Sequence, residues 1–276
     1  MSQGILISKT AEAKGGLIEE VCPLCLFEKP LIESHLISKG VYPLVRGEAN
    51  DAILVNSRFI MHTSRQTKHL LLCRECDNSL NKNGENWIIP KLAHPDGRFP
   101  LLDTLQEIPP DAEKAEFKIY GTAKNPSIDV QKIAHFAMGI FWKASAHSWA
   151  ADDNAPKIDL GPYRDSVRDF LRGKARFPAN VSLHVFIAPR DRALITIGEP
   201  CRGRAEIYRN FSFYVPGVEF GLYVGKQITN EIRQLCFHEN PAHPIVVYDT
   251  SVRLLGLMKE MERTAHKSKR VKSLFA

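Results

Sequence analysis

The stretch Leu71–Asn81, LLCRECDNSLN, read together with Val21–Cys25, VCPLC, decides how the first third of this chain folds. Each carries a Cys-x-x-Cys pair, and a tight turn within such a pair sets two thiolates on one side of the backbone. Pro23 stiffens the first turn. The second pair runs into a segment with no Pro or Gly until Gly84, so a helix is expected to open at Cys76. The remaining cysteines, Cys201 and Cys236, stand alone. A secreted disulfide framework does not pair cysteines so closely in a chain this long, so Cys22, Cys25, Cys73 and Cys76 are expected to share one structural zinc ion.

A turn-borne pair followed by a pair at a helix N-terminus is the treble-clef arrangement. Residues 26 to 72 separate the pairs, far more than a zinc ribbon needs, so something folds between them. LIESHLI (31–37) has strand character, and AILVNSRFIMH (52–62) reads as a second strand or strand pair. A β-hairpin inserted between zinc knuckle and helix gives a ββα-metal core.

Cys22, Cys25, ESHLIS (33–38) and LLCRECDNSLN together resemble the zinc-containing branch of the HNH, or His-Me finger, endonucleases. They are also similar to bacterial HNH-like proteins that carry C-x-x-C, then S-H-[IL]-I, then L-L-C-x-x-C. The resemblance covers roughly residues 20 to 90. It implies a general base at the end of the first hairpin strand, where His35 stands, and a catalytic Mg²⁺ or similar divalent ion at the scissile phosphate. In the family that ion is held by an Asp or His just before the base and by an Asn or His on the following helix. Here Ser34 takes the first position. Glu33 shares a strand face with His35 and could orient it or hold the ion through water. Asp77 and Asn78 fall where some members carry the helix ligand, and Asn81 shares a helix face with Asp77.

Each of these residues has a plainer role open to it. His35 could be a core histidine or a zinc ligand. Asp77, Asn78 and Asn81 could cap and solvate a helix, the acid favoured there by the helix dipole. His62 and His69 read as loop residues, His69 being the second choice of base. Arg65, Lys68 and Arg74 could touch phosphate or form a solvated basic loop.

The net charge of +6 leans weakly toward a polyanionic partner. No apolar run approaches the length that crosses a bilayer, and the N-terminus lacks a basic region followed by an apolar core. The expectation is a bacterial-type cytoplasmic protein without membrane contact.

Beyond residue 100 the density of Pro and Gly rises, and a linker is expected over 101–126, dividing a zinc-binding module (1–100) from an α+β recognition or assembly domain (127–276). Residues 127–150 form the clearest helix. Ile133, Phe136, Ala137, Ile140, Phe141 and Ala144 make its apolar stripe, and His135, Trp142 and Trp149 repeat every seven residues as core or as a docking face. A second helix begins at GPYRDSVRDFLRGK, where Arg164, Arg168 and Arg172 make a basic stripe that Asp165 and Asp169 can pair. Strand patterns dominate from Val181, with helical patterns at 226–237 and 251–266. The C-terminal half has no phosphate loop, nucleophile elbow or dinucleotide fingerprint. The basic tail 259–276 reads as an accessory nucleic-acid contact or a loose end.

The expected fold is therefore α+β: a zinc-stabilised ββα-metal module followed by a mixed domain. The expected function is a metal-dependent endonuclease acting on nucleic acid, DNA before RNA, in the manner of a defence or toxin effector. The alternative is a non-catalytic treble-clef module that binds nucleic acid or a protein partner. The C-terminal domain could carry a further protein partner or oligomer contact.

Overall fold

The described residues form two sheets. In a computed structural model, residues 19–46, 52–55, 60–63, 66–149, 158–203, 208–252, 255, 256 and 259 are described. The strands are β1 (Glu19–Val21), β2 (Glu28–His35), β3 (Ala52–Val55), β4 (Ile60–Thr63), β5 (Lys68–Cys73), β6 (Ala112–Glu113), β7 (Phe117–Gly121), β8 (Val181–Ile187), β9 (Ile197–Arg202), β10 (Arg209–Val215), β11 (Val218–Val224) and β12 (Pro244–Tyr248). The helices are α1 (Tyr42–Val45), α2 (Arg74–Leu80), α3 (Asn86–Ile88), α4 (Pro100–Gln106), α5 (Val130–Ala146), α6 (Arg164–Leu171) and α7 (Asn230–Gln234). The α+β class expected from the sequence is what the chain adopts.

The small sheet runs β1-β2-β5 and the large one β4-β3-β9-β10-β11-β8-β12-β7-β6. β2 pairs antiparallel with β5, setting Leu31 opposite Cys73, Ser34 opposite His69 and His35 opposite Lys68. The strand expected to partner β2 was 52–62. That segment instead forms the β3–β4 hairpin at one end of the large sheet, where β3 lies parallel to β9. Short apolar runs of this kind carry no mark of which sheet they will join.

The 101–126 stretch is not a linker. It contains α4, with Leu101, Leu102 and Leu105 buried, and the β6–β7 hairpin that closes the far end of the large sheet. Its prolines punctuate ordered structure: Pro100 opens α4, where a missing N–H costs nothing. A hydrophobic core runs from Cys22 beside the small sheet and Leu72 within it, through α5, to Val247 of β12. The two expected units therefore meet in a common interior.

α5 joins them. Asp129 caps it by accepting from the Lys132 N–H at 3.0 Å. Its apolar stripe is buried as expected, and Trp142 is core. Phe136 and Phe141 meet Phe213 and Phe220 of the large sheet edge-on, at 5.0 to 6.2 Å between ring centroids. α5 also meets a π-helical turn, Asn81–Glu85, that continues α2. Gly84 makes this approach possible. A Cβ there would stand 2.7 Å from the Phe136 nitrogen and 2.8 Å from its Cα.

Candidate functional site

The cysteines come together at one end of the small sheet. Cys22 and Cys25 lie on the turn between β1 and β2, Cys73 ends β5, and Cys76 lies in the first turn of α2. All four sulfurs fall within 4.8 Å of one another, with Cys25 and Cys73 Sγ 3.9 Å apart. Tetrahedral sulfurs around a zinc ion at about 2.3 Å would stand about 3.8 Å apart, so the cluster is the right size for such an ion.

The local backbone serves the same end. Leu26 N–H donates to the Cys22 carbonyl at 2.7 Å, and Cys22 N–H to that of Phe27 at 3.0 Å, closing the turn with Leu26 at φ 66°. The Cys73 N–H points at Cys22 Sγ, 3.4 Å away. That side-chain site gathers charge unevenly. A hydrogen bond from Cys76 holds the Cys22 thiol down to about 4, and the same bond leaves Cys76 far above the ordinary thiol range. Burial pushes Cys73 up to about 11. Four soft donors of this kind, with amide groups turned toward one sulfur, can hold a metal ion such as zinc.

His35 occupies the other end of β2 and is half-buried. Burial draws its pKa below the ordinary value, a hydrogen bond to the Gln66 side chain works against this, and the charges of Lys143, Lys39 and Lys68 lower it further. These influences together favour the neutral ring, the form that accepts a proton. Its carbonyl oxygen accepts from Lys143 Nζ at 2.7 Å. The same ammonium lies 3.6 Å from Glu85 Oε1, with the Lys143 and Glu85 side chains only 4% and 13% exposed. α2 and the π turn thus run back alongside the hairpin and deliver Glu85 to the His35 end.

The other expected site residues divide. Glu33 is exposed and paired to Lys68 at 2.8 Å, and that pairing holds its carboxyl below the ordinary range. Ser34 is fully buried, its hydroxyl without a partner, and faces away from His35 across the strand. Asp77 accepts from the Asn81 side-chain amide at 3.3 Å, so these two share a helix face as expected. Asn78 is exposed. Among the described residues no hydrogen bond or ion pair joins His35 to Asp77, Asn78 or Asn81. His69 stands at the strand position opposite Ser34 and rests its ring against His147, centroids 3.8 Å apart.

Of the basic residues, Arg65 lies outside the described residues, as does the side chain of His62. Arg74 and Arg164 are exposed. Arg168 pairs with Asp165 and Asp169 at 3.1 and 3.3 Å, as expected, and Arg172 caps the end of α6.

Glu85, Lys143 and Gln66 were not anticipated. Lys143 carried the one usable signal, a lone cation inside the apolar run GIFWKASA (139–146). Such a residue needs a buried partner. Glu85 had no comparable mark. No helix among the described residues is long and apolar enough to cross a membrane. No protein-family model, curated protein or solved structure matches this chain.

Proposed function

We propose that the chain is a metal-dependent endonuclease of HNH-like design, in which a zinc-bound treble clef presents His35 to a phosphodiester. The observation that carries this reading is the placement of the half-buried His35 at the end of the β2–β5 strand pair away from the cysteines. The four-cysteine cluster pins the opposite end, and α2 follows directly from the second strand. Structural zinc would hold knuckle, hairpin and helix in one register. His35 takes a proton from water as that water's oxygen bonds to phosphorus, and the P–O bond to the leaving oxygen breaks. A hard divalent ion such as Mg²⁺, when bound, supplies charge neutralisation at the phosphate. Asp77 with Asn81, assisted by Asn78 or Glu33, offers oxygen ligands suited to it. Lys68 and Arg74 flank the hairpin as phosphate contacts, and DNA is the favoured substrate over RNA. The reaction belongs to a cytoplasmic setting, as in a defence or toxin effector.

The test is incubation of the full chain with supercoiled plasmid, single-stranded DNA and RNA, with Mg²⁺, Mn²⁺ or Ni²⁺. Ion-dependent nicking of at least one substrate is expected, and no cleavage under any of these conditions contradicts the proposal.

A second reading has its own support. Val21, Leu26 and Phe27 lie beside the cysteine cluster at 52%, 50% and 61% exposure, an apolar surface suited to a protein partner. Together with the buried Ser34 it favours a non-catalytic zinc module if cleavage is absent.

A further inference from the structure

A cleft of about 860 Å³ opens on the far side of α2 from Asp77 and Asn81. Ser79 and Asn83 form one wall, joined by a hydrogen bond at 3.1 Å. Two residues along a helix is a turn of about 200°, which sets this wall opposite the Asp77–Asn81 face. The start of α5 and the end of α6 make the other walls. The volume falls in the range that holds a small organic ligand.

The lining has two characters. The first is aromatic: Phe177 and His238 stack at 4.6 Å and 14°, and Phe170 meets both edge-on at 5.4 and 5.6 Å. His238 Nε2 lies 3.1 Å from Gln131 Oε1, and burial pulls its pKa down to about 4, so it offers an uncharged ring at neutral pH. The second is cationic. The two acids of the cleft are already matched, Asp129 to Lys132 at 3.7 Å and Glu239 to Arg233 at 4.0 Å. Arg172 and Arg176, either side of the Gly173 turn, make no ion pair among the described residues. The cleft therefore brings arginines without ion pairs among the described residues next to an aromatic cluster in which Phe170 and Phe177 are buried and His238 is half-buried.

We infer that this cleft binds a nucleoside monophosphate, the base against the Phe170–Phe177–His238 rings and the phosphate at Arg172 and Arg176. Guanidinium groups match phosphate oxygens in pairs, and two of them on one rim suit a dianion better than a single carboxylate. Aromatic rings accept any base by stacking, while the Gln131 amide supplies a polar group for its edge. The same chemistry is found at the 5′ end of a phosphorylated strand. This site is separate from the one proposed for His35 and stands whether or not the chain cuts nucleic acid.

Isothermal titration of the full chain without added Mg²⁺ tests it, using AMP, GMP, CMP, UMP, the parent nucleosides, inorganic phosphate and a 5′-phosphorylated trinucleotide. At least one monophosphate should bind about tenfold more tightly than its nucleoside and than phosphate. The double variant Arg172→Gln/Arg176→Gln should lose about tenfold toward the monophosphate and little toward the nucleoside. Neither arginine makes an ion pair among the described residues, so its melting temperature should match wild type, and His35→Ala should bind as wild type does. Tighter binding of the trinucleotide identifies a strand end as the ligand, and weaker binding identifies the free nucleotide. Absence of binding by all four monophosphates at about 5 mM, or undiminished binding in the double variant, overturns the inference.

Discussion

Lys143 Nζ lies 2.7 Å from the carbonyl oxygen of His35, joining the central helix of the large core to the last residue of β2. Its second partner, Glu85, makes the contact a buried ion pair. Removing one member of such a pair leaves the other charge uncompensated, at about 3–5 kcal/mol. Lys143→Met is therefore expected to destabilise by that amount in chemical denaturation. Lys143→Met/Glu85→Gln should recover a substantial part of it. The His35 pKa should rise in the double variant, because the Lys143 charge that opposes its protonation is gone. An NMR titration of the imidazole reads this directly, and an unmoved pKa would mean that Lys143 does not act on the ring.

Gly84 lets the π turn after α2 approach the α5 backbone closely. A methyl group there meets Phe136 backbone at under 3 Å, which side-chain rotation cannot relieve. Gly84→Ala should cost about 3 kcal/mol despite the higher helix propensity of alanine. Gly97, whose Cβ would meet nothing within 4 Å, supplies a contrast. Its φ of 85° still strains a substituent, so Gly97→Ala should cost about 1 kcal/mol. Urea midpoints for the two variants measure the difference.

The cysteine cluster predicts about one zinc per chain after purification in a reducing buffer. Cys73→Ser should lose the metal and lower the melting temperature, because ligand binding contributes to folding of the β1–β2–β5 sheet. Elemental analysis decides this. Less than about half an equivalent in a folded wild-type chain would contradict the assignment.

The acid limb of stability should carry the mark of His184. This residue is buried in β8, 2.8 Å from the Ile232 carbonyl oxygen, and burial pulls its pKa down to about 4. The unfolded chain binds that proton near pH 6.5, so it holds more protons than the folded chain between pH 6.5 and 4. Stability from this group is full above about pH 6.5 and falls as the pH drops toward 4, by up to about 3 kcal/mol. A variant such as His184→Gln should be less stable at pH 7 and show a flatter decline between pH 6.5 and 4. Denaturation midpoints across that range give the slope.

Much of the site was legible because its signals are local. The Cys-x-x-Cys pairs announced the sulfur cluster, the run without Pro or Gly after Cys73 announced α2, and the stripe from Ile133 to Ala144 announced α5. What escaped depends on distant partners. β3 and β4 join the large sheet through β9, some 140 residues away along the chain, and nothing in AILVNSRFIMH encodes that choice. Glu85 reaches the His35 end only because a π turn lengthens the helix and a lysine on α5 receives it. The expected linker failed because turn residues punctuate a small hairpin and a helix start as readily as they loosen a chain.

The central claim is that His35 is a base held on a zinc scaffold. It is tested most directly by comparing His35→Ala with wild type in single-turnover cleavage, together with zinc content and melting temperature. The account predicts a rate loss of about 100-fold or more, with zinc retained and melting nearly unchanged. Loss of zinc or of the fold in His35→Ala, or cleavage at the wild-type rate, would contradict it.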